Sequence, residues 1–208
     1  MKKLFLASYF QTVARLLPDF IDCAGKKVVF IPTAAIPEKI TFYVGADKKA
    51  LQKLGLIVQD LEITKLPEDE IEKTIISADF IFVSGGNTFF LLQELKRKGV
   101  DKMITSHINK GKLYIGSSAG SAVVSRSIEY VKHMDNPKVA KELDGYSALG
   151  VIDFCVVPHF TNFPFRKSAE KVVKEFADTL DLKPISNNQV IIVDGEKIET
   201  LSIESKKK

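Results

Sequence analysis

The sequence predicts an α/β fold with a mostly parallel central sheet, helices on its faces and an antiparallel hairpin at its C-terminal end. Short apolar runs alternate along the chain with amphipathic segments of helical periodicity, and this alternation is typical of parallel strands joined by crossover helices. The pattern changes near the C-terminus, where two β-like runs flank Asp194-Gly195, a dipeptide suited to the positive φ of a hairpin turn.

Six apolar runs are predicted to be strands buried on both faces. They span residues 3–7, 27–32, 57–61, 80–83, 113–115 and 155–157. Five helical patterns, at residues 12–23, 42–54, 69–76, 88–98 and 100–110, supply the crossovers that parallel neighbours require. Strand and helix therefore alternate through the first half of the chain.

A later helix is predicted around residues 169–180, because apolar residues recur there at three- and four-residue spacing opposite Lys171, Lys174 and Glu175. Residues 190–193 and 197–201 form the arms of the hairpin and add an antiparallel edge to the sheet. The polar segment 125–149 is predicted to be a long loop over one end of the sheet, where such loops usually serve function.

Length and composition predict one domain over residues 1–208, with residues 203–208 as a flexible tail. The 208 residues are 45% hydrophobic and 27% charged, which suffices for one sizeable core. The net charge of +4 is spread over 30 basic and 26 acidic residues, and the terminal lysines 206–208 form a short basic run. No nucleic-acid partner is therefore expected.

Several features favour a soluble cytoplasmic protein. The two cysteines, Cys23 and Cys155, lack metal-ligand spacing and are expected to be reduced core residues. The apolar run at the N-terminus is too short for the core of a signal peptide, and no stretch approaches the ~18 apolar residues that span a membrane. We therefore expect neither secretion nor a membrane partner.

The strongest candidate for chemistry is the motif Gly116-Ser117-Ser118-Ala119-Gly120, a G-x-S-x-G placed directly after the apolar run 113–115. In a nucleophile elbow, glycines on either side permit a sharp turn from strand to helix, and the central serine is held out above the sheet. Ser118 is therefore the candidate nucleophile. The motif alone is also compatible with a plain glycine- and serine-rich turn or with a loop that cradles a phosphate.

A second glycine turn, Ser84-Gly85-Gly86-Asn87-Thr88, follows the apolar run 80–83 and is predicted to end at the same edge of the sheet. The N–H of Gly85 or Gly86, together with that of Ala119, would form a two-donor oxyanion hole. We therefore take Gly85, Gly86, Asn87 and Ala119 as oxyanion or substrate-binding candidates. The alternative for this turn is structural, with Asn87 or Thr88 capping the following helix.

His159 is the candidate general base, since it follows the apolar run 155–157 and should reach the same rim as both glycine turns. Of the two other histidines, His107 lies in a predicted surface helix and His133 in the polar loop. Without the serine motif, a structural role would be the simpler interpretation of His159.

A serine–histidine pair needs a third group to hold the imidazole tautomer. Asp135, in the loop between nucleophile and base, is the preferred candidate. Asn187 and Asn188, just before the last hairpin, are alternatives, although a neutral amide stabilises an imidazolium less than a carboxylate does. No cluster of Cys, His, Asp and Glu has ligand spacing in the sequence, so neither a metal nor an organic cofactor is expected.

At three motifs the sequence resembles the dipeptidase E (aspartyl dipeptidase) family of serine peptidases, whose wider group includes the cyanophycinases. The motifs are Gly85-Gly86-Asn87-Thr88-Phe89, Gly116-Ser117-Ser118-Ala119-Gly120 and Pro158-His159-Phe160-Thr161-Asn162, in the family's order and with similar spacing. The resemblance runs from the first strand to the final hairpin. It implies a three-layer, glutamine-amidotransferase-like α/β sandwich with serine in place of cysteine at the elbow.

The resemblance also implies an activity, the cleavage of short peptides after an N-terminal aspartate. Ser118 and His159 match the family's nucleophile and base. Asp135 matches one proposed acidic third member only after a small shift. Where another family proposal has a glutamate, this chain has Ser186-Asn187-Asn188.

The expected function is therefore a serine peptidase acting on small peptides, with dipeptides that have N-terminal aspartate as the expected substrates and homo-oligomer formation left open. A cation for an aspartate side chain would come from Arg126 or Arg166, although neither falls clearly on a family position. One alternative keeps Ser118 and His159 but acts on isoaspartyl or other acidic peptides, or on another small ester or amide. Another is a non-catalytic module that binds a small ligand or a protein, since an acidic residue is missing before the terminal hairpin.

Overall fold

The computed structural model describes residues 1–203, which form nine β-strands and eight α-helices. The strands are β1 (Lys3–Ala7), β2 (Lys27–Ile31), β3 (Ile57–Asp60), β4 (Phe80–Val83), β5 (Leu113–Ser117), β6 (Cys155–Val157), β7 (Leu182–Pro184), β8 (Gln189–Asp194) and β9 (Lys197–Ser202). The helices are α1 (Phe10–Val13), α2 (Leu17–Phe20), α3 (Phe42–Lys53), α4 (Glu68–Ile76), α5 (Thr88–Arg97), α6 (Val100–Asn109), α7 (Ala119–Ala122) and α8 (Arg166–Phe176). Within this part of the chain, no helix has the length and apolar character needed to cross a membrane. Residues 204–208 of the predicted tail lie outside the described residues.

Seven strands form the central sheet, in the order β3-β2-β4-β5-β1-β8-β9. The first five run parallel, whereas β8 is antiparallel to β1 and β9 is antiparallel to β8. The turn between β8 and β9 contains Gly195 at φ 64°. The predicted parallel sheet with an antiparallel C-terminal hairpin is confirmed.

The sheet separates two apolar layers, because alternate residues of a strand face opposite sides. In β4, Phe80 and Phe82 face the layer that includes α1 to α3, whereas Ile81 and Val83 face the layer that includes α4 to α8. All four side chains are buried. The fold is the expected three-layer α/β sandwich, and the carboxyl ends of its parallel strands meet at one rim.

The last of the predicted parallel strands is placed differently. Residues 155–157 form β6, which pairs with β7 in a separate two-stranded parallel sheet. The prediction that this run joins the central sheet is wrong, because its apolar side chains are buried in the layer that includes α8. The register pairs Val157 with Pro184, so the residues that follow the two strands emerge side by side.

Three further predictions are corrected. The segment 12–23 is not one helix, because Pro18 lacks an N–H and lies in the first turn of the separate helix α2. β3 is an edge strand with Ile57 58% exposed, and is not buried on both faces. His107 is buried rather than on the surface, and its Nε2 lies 3.1 Å from the Leu113 carbonyl oxygen. Burial lowers the pKa of His107 to about 4, so it is a neutral core residue at neutral pH.

Candidate active site

Ser118 lies at the sharp turn between β5 and α7, at the rim where the parallel strands end. Its backbone has φ 50° and ψ −106°, a conformation that costs a residue other than glycine of order 1–3 kcal/mol. The N–H of Ser118 donates to the Ala7 carbonyl at 3.0 Å, and its own carbonyl accepts from the N–H groups of Ser121 and Ala122. These bonds hold the strained turn. Ser118 itself is only half-buried.

The two glycines of the motif are required by close packing. A Cβ atom at Gly116 would lie 2.6 Å from the carbonyl carbon of Gly120, and one at Gly120 would lie 2.2 Å from the carbonyl oxygen of Val83. Both distances are far inside van der Waals contact. Gly116 therefore lets the elbow fold tightly on itself, and Gly120 lets it pack against β4.

His159 follows β6, and its Nε2 lies 2.8 Å from the Oγ of Ser118. The residue adopts φ 59°, and its ring stacks on that of Phe165 with 4.8 Å between the centroids. Burial lowers the pKa of His159, and the hydrogen bond with Asn187 opposes this only in part. The imidazole is therefore neutral at neutral pH and can accept a proton.

The other ring nitrogen of His159 is held by Asn187, with 2.7 Å between Nδ1 and Oδ1. The small sheet brings the two residues together, since the N–H of Ile185 donates to the Val157 carbonyl at 3.0 Å and extends the β6–β7 pairing toward the rim. An amide oxygen only accepts, so Nδ1 carries the proton and Nε2 is the acceptor that faces Ser118.

Asp135, the preferred sequence candidate for the third position, lies at Thr88 rather than at His159. Its Oδ2 accepts from the backbone N–H of Thr88 at 2.8 Å and from the hydroxyl at 2.5 Å. Desolvation raises the pKa of Asp135 to about 6, although the bonds from Thr88 work against that shift. Asp135 therefore does not lie at His159, and the side chain at Nδ1 is that of Asn187, because the β6–β7 pairing, and not the long loop, brings a side chain there.

The Gly85-Gly86 turn packs against the elbow. A Cβ atom at Gly85 would lie 3.3 Å from the Cβ of Ser118, and one at Gly86, where φ is 138°, would lie 2.1 Å from the Ala34 carbonyl oxygen. Within residues 1–203, no backbone carbonyl accepts from the N–H of Gly85 or Gly86. Ala119 opens α7, so no preceding helical turn supplies an acceptor for its N–H.

Asn87 supports the fold rather than the cleft. Its Oδ1 accepts from the N–H groups of Phe89 and Phe90 and so caps α5, while its Nδ2 donates to the Asn136 carbonyl at 3.2 Å. Asn87 is 3% exposed. The expected substrate contact is therefore replaced by the helix cap that the sequence also offered.

Ser8 is a site residue that the sequence analysis missed. It follows β1, and its Oγ lies 2.7 Å from the backbone nitrogen of His159 and 2.9 Å from the Oδ1 of Asn187. Its place directly after an apolar strand at the rim was the one available signal.

Asp47 is a second missed residue, and it lies beneath the elbow on α3. It is 1% exposed, its Oδ1 accepts a hydrogen bond from the N–H of Gln11 at 3.2 Å, and the hydroxyl of Ser117 acts to lower its pKa. Burial raises the pKa of Asp47 to about 7. No sequence signal marks it, because charged residues are common on amphipathic helices.

The two arginines considered for substrate binding have different neighbours. Arg126 forms an ion pair with Asp153, and both side chains are largely exposed. Arg166 directly follows Phe165, the residue that stacks on His159, and its Nε donates to Glu170 at 2.9 Å. Arg166 is thus also exposed and ion-paired, and it differs from Arg126 in its place next to Phe165 in the sequence.

His133 contacts Glu175 on α8 and takes no part in this arrangement. In the described part of the chain, no group of three or more His, Cys, Asp or Glu side chains is arranged to hold a metal ion.

A strained serine at a strand-to-helix elbow, with a histidine at hydrogen-bond distance on the rim of a mostly parallel sheet, is the arrangement of a hydrolase built on an α/β sandwich. The chain belongs to peptidase family S51, whose sequence profile matches residues 4–201. It is accordingly a peptidase.

Individual relatives carry names of the same class. An uncharacterized peptidase of Listeria innocua is 49% identical over 201 residues, which are 96% of each chain. Peptidase E of Salmonella arizonae is 34% identical over 137 residues, which are 66% of this chain and 56% of that protein. The crystal structure of a protein from Listeria monocytogenes, described as a candidate peptidase E, matches with a TM-score of 0.94 at 46% identity, over 98% of this chain and all of that one.

The packing of the elbow predicts a large effect of Gly120→Ala. The added Cβ would collide with the Val83 carbonyl, so we expect a loss of about 3 kcal/mol or more in the free energy of unfolding. Gly45→Ala is the matched control, because Gly45 lies in α3 with open space around it and should gain about 0.5–1 kcal/mol. Urea unfolding of both variants measures the difference, and equal stabilities would contradict the packing argument.

The raised pKa of Asp47 predicts a pH-dependent gain from Asp47→Asn. The folded-state pKa lies above the unfolded one, so the neutral form stabilises the protein at low pH and that contribution is lost as the pH rises through about 7. At about pH 8.5 the variant should be more stable than the parent chain by roughly 2–4 kcal/mol, and the gain should shrink toward about pH 5. Urea unfolding at both pH values is the measurement.

The control is Asp60→Asn, which removes an exposed carboxylate paired with Lys48. It should change stability by less than about 1 kcal/mol at either pH. A pH-independent effect of Asp47→Asn would show that Asp47 does not titrate in this range.

Proposed function

We propose that this peptidase uses serine nucleophilic catalysis and hydrolyses short peptides, with dipeptides that begin with aspartate as the expected substrates. One observation carries the proposal, the 2.8 Å contact between the Oγ of Ser118 and the Nε2 of His159 at a strained elbow. A histidine at this distance, oriented by a third group, makes an alcohol nucleophilic at neutral pH.

In the proposed reaction, the Nε2 of His159 accepts the hydroxyl proton as the Oγ of Ser118 attacks the carbonyl carbon of the peptide. The tetrahedral intermediate collapses by breaking the C–N bond. The amine leaves with the proton from His159, and the acyl group stays as an ester on Ser118. Water, deprotonated by His159, then hydrolyses the ester and restores the hydroxyl.

The N–H groups of Gly86 and Ala119 are the proposed oxyanion donors. The turn that carries Gly86 packs directly on Ser118 through Gly85, so its donors belong to the same rigid rim as the nucleophile. Removing one such donor typically lowers kcat roughly 100- to 1000-fold.

Asn187 is the proposed third member of the triad. Its Oδ1 accepts from the Nδ1–H of His159, which leaves Nε2 free for the serine proton. The amide carries no charge, so it orients the imidazole but stabilises the imidazolium less than a carboxylate would. With the pKa of His159 also lowered by burial, the proposed base stays deprotonated to a lower pH than an ordinary histidine.

Contacts of the segment 125–149 support a restriction to short peptides. Asp135 accepts from Thr88, and the Asn136 carbonyl accepts from Asn87. The segment is thus fastened to the start of α5, directly after the Gly85-Gly86 turn. A segment fastened there would close one end of the cleft and exclude long chains.

The aspartate preference rests on the family resemblance, and it requires a cation near the substrate side chain. Arg166 is the preferred candidate of the two arginines because it directly follows Phe165, which stacks on His159.

We propose that the protein acts in the cytoplasm, since Cys23 and Cys155 are both free and buried, as is usual in a reducing compartment.

Turnover of a dipeptide panel tests the proposed catalysis. The purified protein should hydrolyse Asp-X dipeptides faster than isoAsp-X, Glu-X or neutral dipeptides, and Ser118→Ala should lower kcat at least ~1000-fold because it removes the nucleophile. Release of free amino acids from the panel is the measurement. Ser77→Ala, an exposed change at the end of α4, is the control and should leave turnover unchanged.

The outcomes separate the alternatives. Turnover of another acidic peptide class alone would keep the Ser118 mechanism and overturn the substrate. Equal turnover by the parent chain and Ser118→Ala, or none by either, would contradict serine catalysis, and absence of turnover would favour the binding module.

The preference for an aspartate side chain tests the proposed role of Arg166. Arg166→Ala should lower kcat/KM for Asp-X by roughly 10- to 100-fold, the usual effect of losing a hydrogen bond to a charged group, and should affect neutral dipeptides far less. Arg126→Ala removes the same charge from a site paired with Asp153, so it serves as the control. An unchanged Asp-X preference in Arg166→Ala would exclude Arg166 as the specificity cation.

A further inference from the structure

We infer that Ser8 is a positioning residue for the proposed reaction, because its hydroxyl selects the orientation of the Asn187 amide and thereby the tautomer of His159. The inference rests on the proposed catalysis by Ser118 and His159. It adds a residue behind the third member of the triad.

The hydroxyl of Ser8 has a defined set of partners. Ser8 is fully buried, and its Oγ accepts from the backbone N–H of His159 at 2.7 Å. A hydroxyl has a single proton of its own to donate. The nearer acceptor for that proton is the Oδ1 of Asn187 at 2.9 Å, whereas the Nδ1 of His159 lies at 3.3 Å.

The amide of Asn187 therefore meets two donors. Its Oδ1 accepts both the Oγ–H of Ser8 and the Nδ1–H of His159, and an NH2 group in that place could accept neither. With the amide reversed, the NH2 would donate to Nδ1, and the imidazole proton would sit on Nε2, facing Ser118. That tautomer cannot accept the serine proton.

The side-chain amide of Asn187 can adopt two orientations, related by a half-turn about its last C–C bond. The backbone N–H of Asn187 donates to the Oδ1 of Asn162 at 2.8 Å. This bond holds the main chain, but it does not decide which of Oδ1 and Nδ2 faces His159. A carboxylate would present an oxygen in either orientation. An asparagine in this position needs a donor such as Ser8, and an aspartate does not.

The test is a double-mutant cycle between Ser8→Ala and Asn187→Asp. With Asn187 present, Ser8→Ala should lower kcat roughly 10- to 100-fold with little change in KM. In the Asn187→Asp background, the same change should cost less than about threefold, because no orientation remains to be selected. An equal loss in both backgrounds would overturn the inference and make Ser8 a structural residue only.

The ¹⁵N shifts of the imidazole rings give a readout that needs no substrate. The chain has 3 histidines, and His159→Gln identifies the signal of interest. His159 should be the Nδ1–H tautomer in the parent chain and a mixture of tautomers in Ser8→Ala. Should Ser8→Ala fail to fold, Ser8→Cys replaces it under the same expectations, since a thiol is only a weak donor.

Thr105→Val is the control. It removes a half-buried hydroxyl that donates to the Asp101 carbonyl at 2.8 Å within α6, a helix that carries none of the site residues. Neither the tautomer of His159 nor kcat should change in this variant.

The two readouts keep this inference separate from the proposed function. If the parent chain hydrolyses no peptide, the proposed catalysis fails, while the tautomer comparison still decides the role of Ser8. An unchanged Nδ1–H tautomer in folded Ser8→Ala would overturn that role even in an active enzyme.

Discussion

The end of β1 holds both halves of the candidate site. The carbonyl oxygen of Ala7 accepts hydrogen bonds from the N–H of Ser118 and the hydroxyl of Ser121, and the hydroxyl of the next residue, Ser8, accepts the N–H of His159. The parallel register sets Ala7 opposite Ser117, so β1 ends level with the elbow. Ser118 and His159 are carried by different segments, and their 2.8 Å contact depends on this shared anchor.

The rim could be predicted from the sequence, whereas the third residue on it could not. Parallel strands end at one edge, so the apolar runs followed by glycines were enough to bring Ser118 and the Gly85-Gly86 turn together. His159 was expected on the same rim by this argument, but it reaches Ser118 from β6, which lies outside the central sheet. Asn187 reaches His159 through β7, a strand of 3 residues that ends in proline and shows no periodicity. Asp135 was preferred because a carboxylate stabilises an imidazolium, but in the structure this carboxylate accepts from the N–H of Thr88. The sequence pattern also did not predict that β3 lies at the edge of the sheet or that His107 faces the core from its helix.

A neutral amide in the proposed triad fits the electrostatics around the elbow. The hydroxyl of Ser117, the residue before the proposed nucleophile, acts on the pKa of Asp47, and Asp135 accepts from Thr88, just beyond the second glycine turn. Burial raises the pKa values of these two carboxyl groups to about 7 and about 6. A third poorly solvated carboxylate would add to this desolvation cost. Asn187 supplies an oxygen for Nδ1 without another negative charge.

The glycine packing of the elbow ties Ser118, the proposed nucleophile, to the most stable part of the fold. Gly120 lies against Val83 of β4, Ser118 follows β5, and its N–H is bonded to the end of β1. Amides in central strands exchange with solvent only through the largest, cooperative openings of a protein, whereas edges and small accessory sheets open more readily. His159 and Asn187 follow the two-stranded sheet of β6 and β7. On heating, the pair would therefore come apart from the histidine side, with the serine still seated in an intact core.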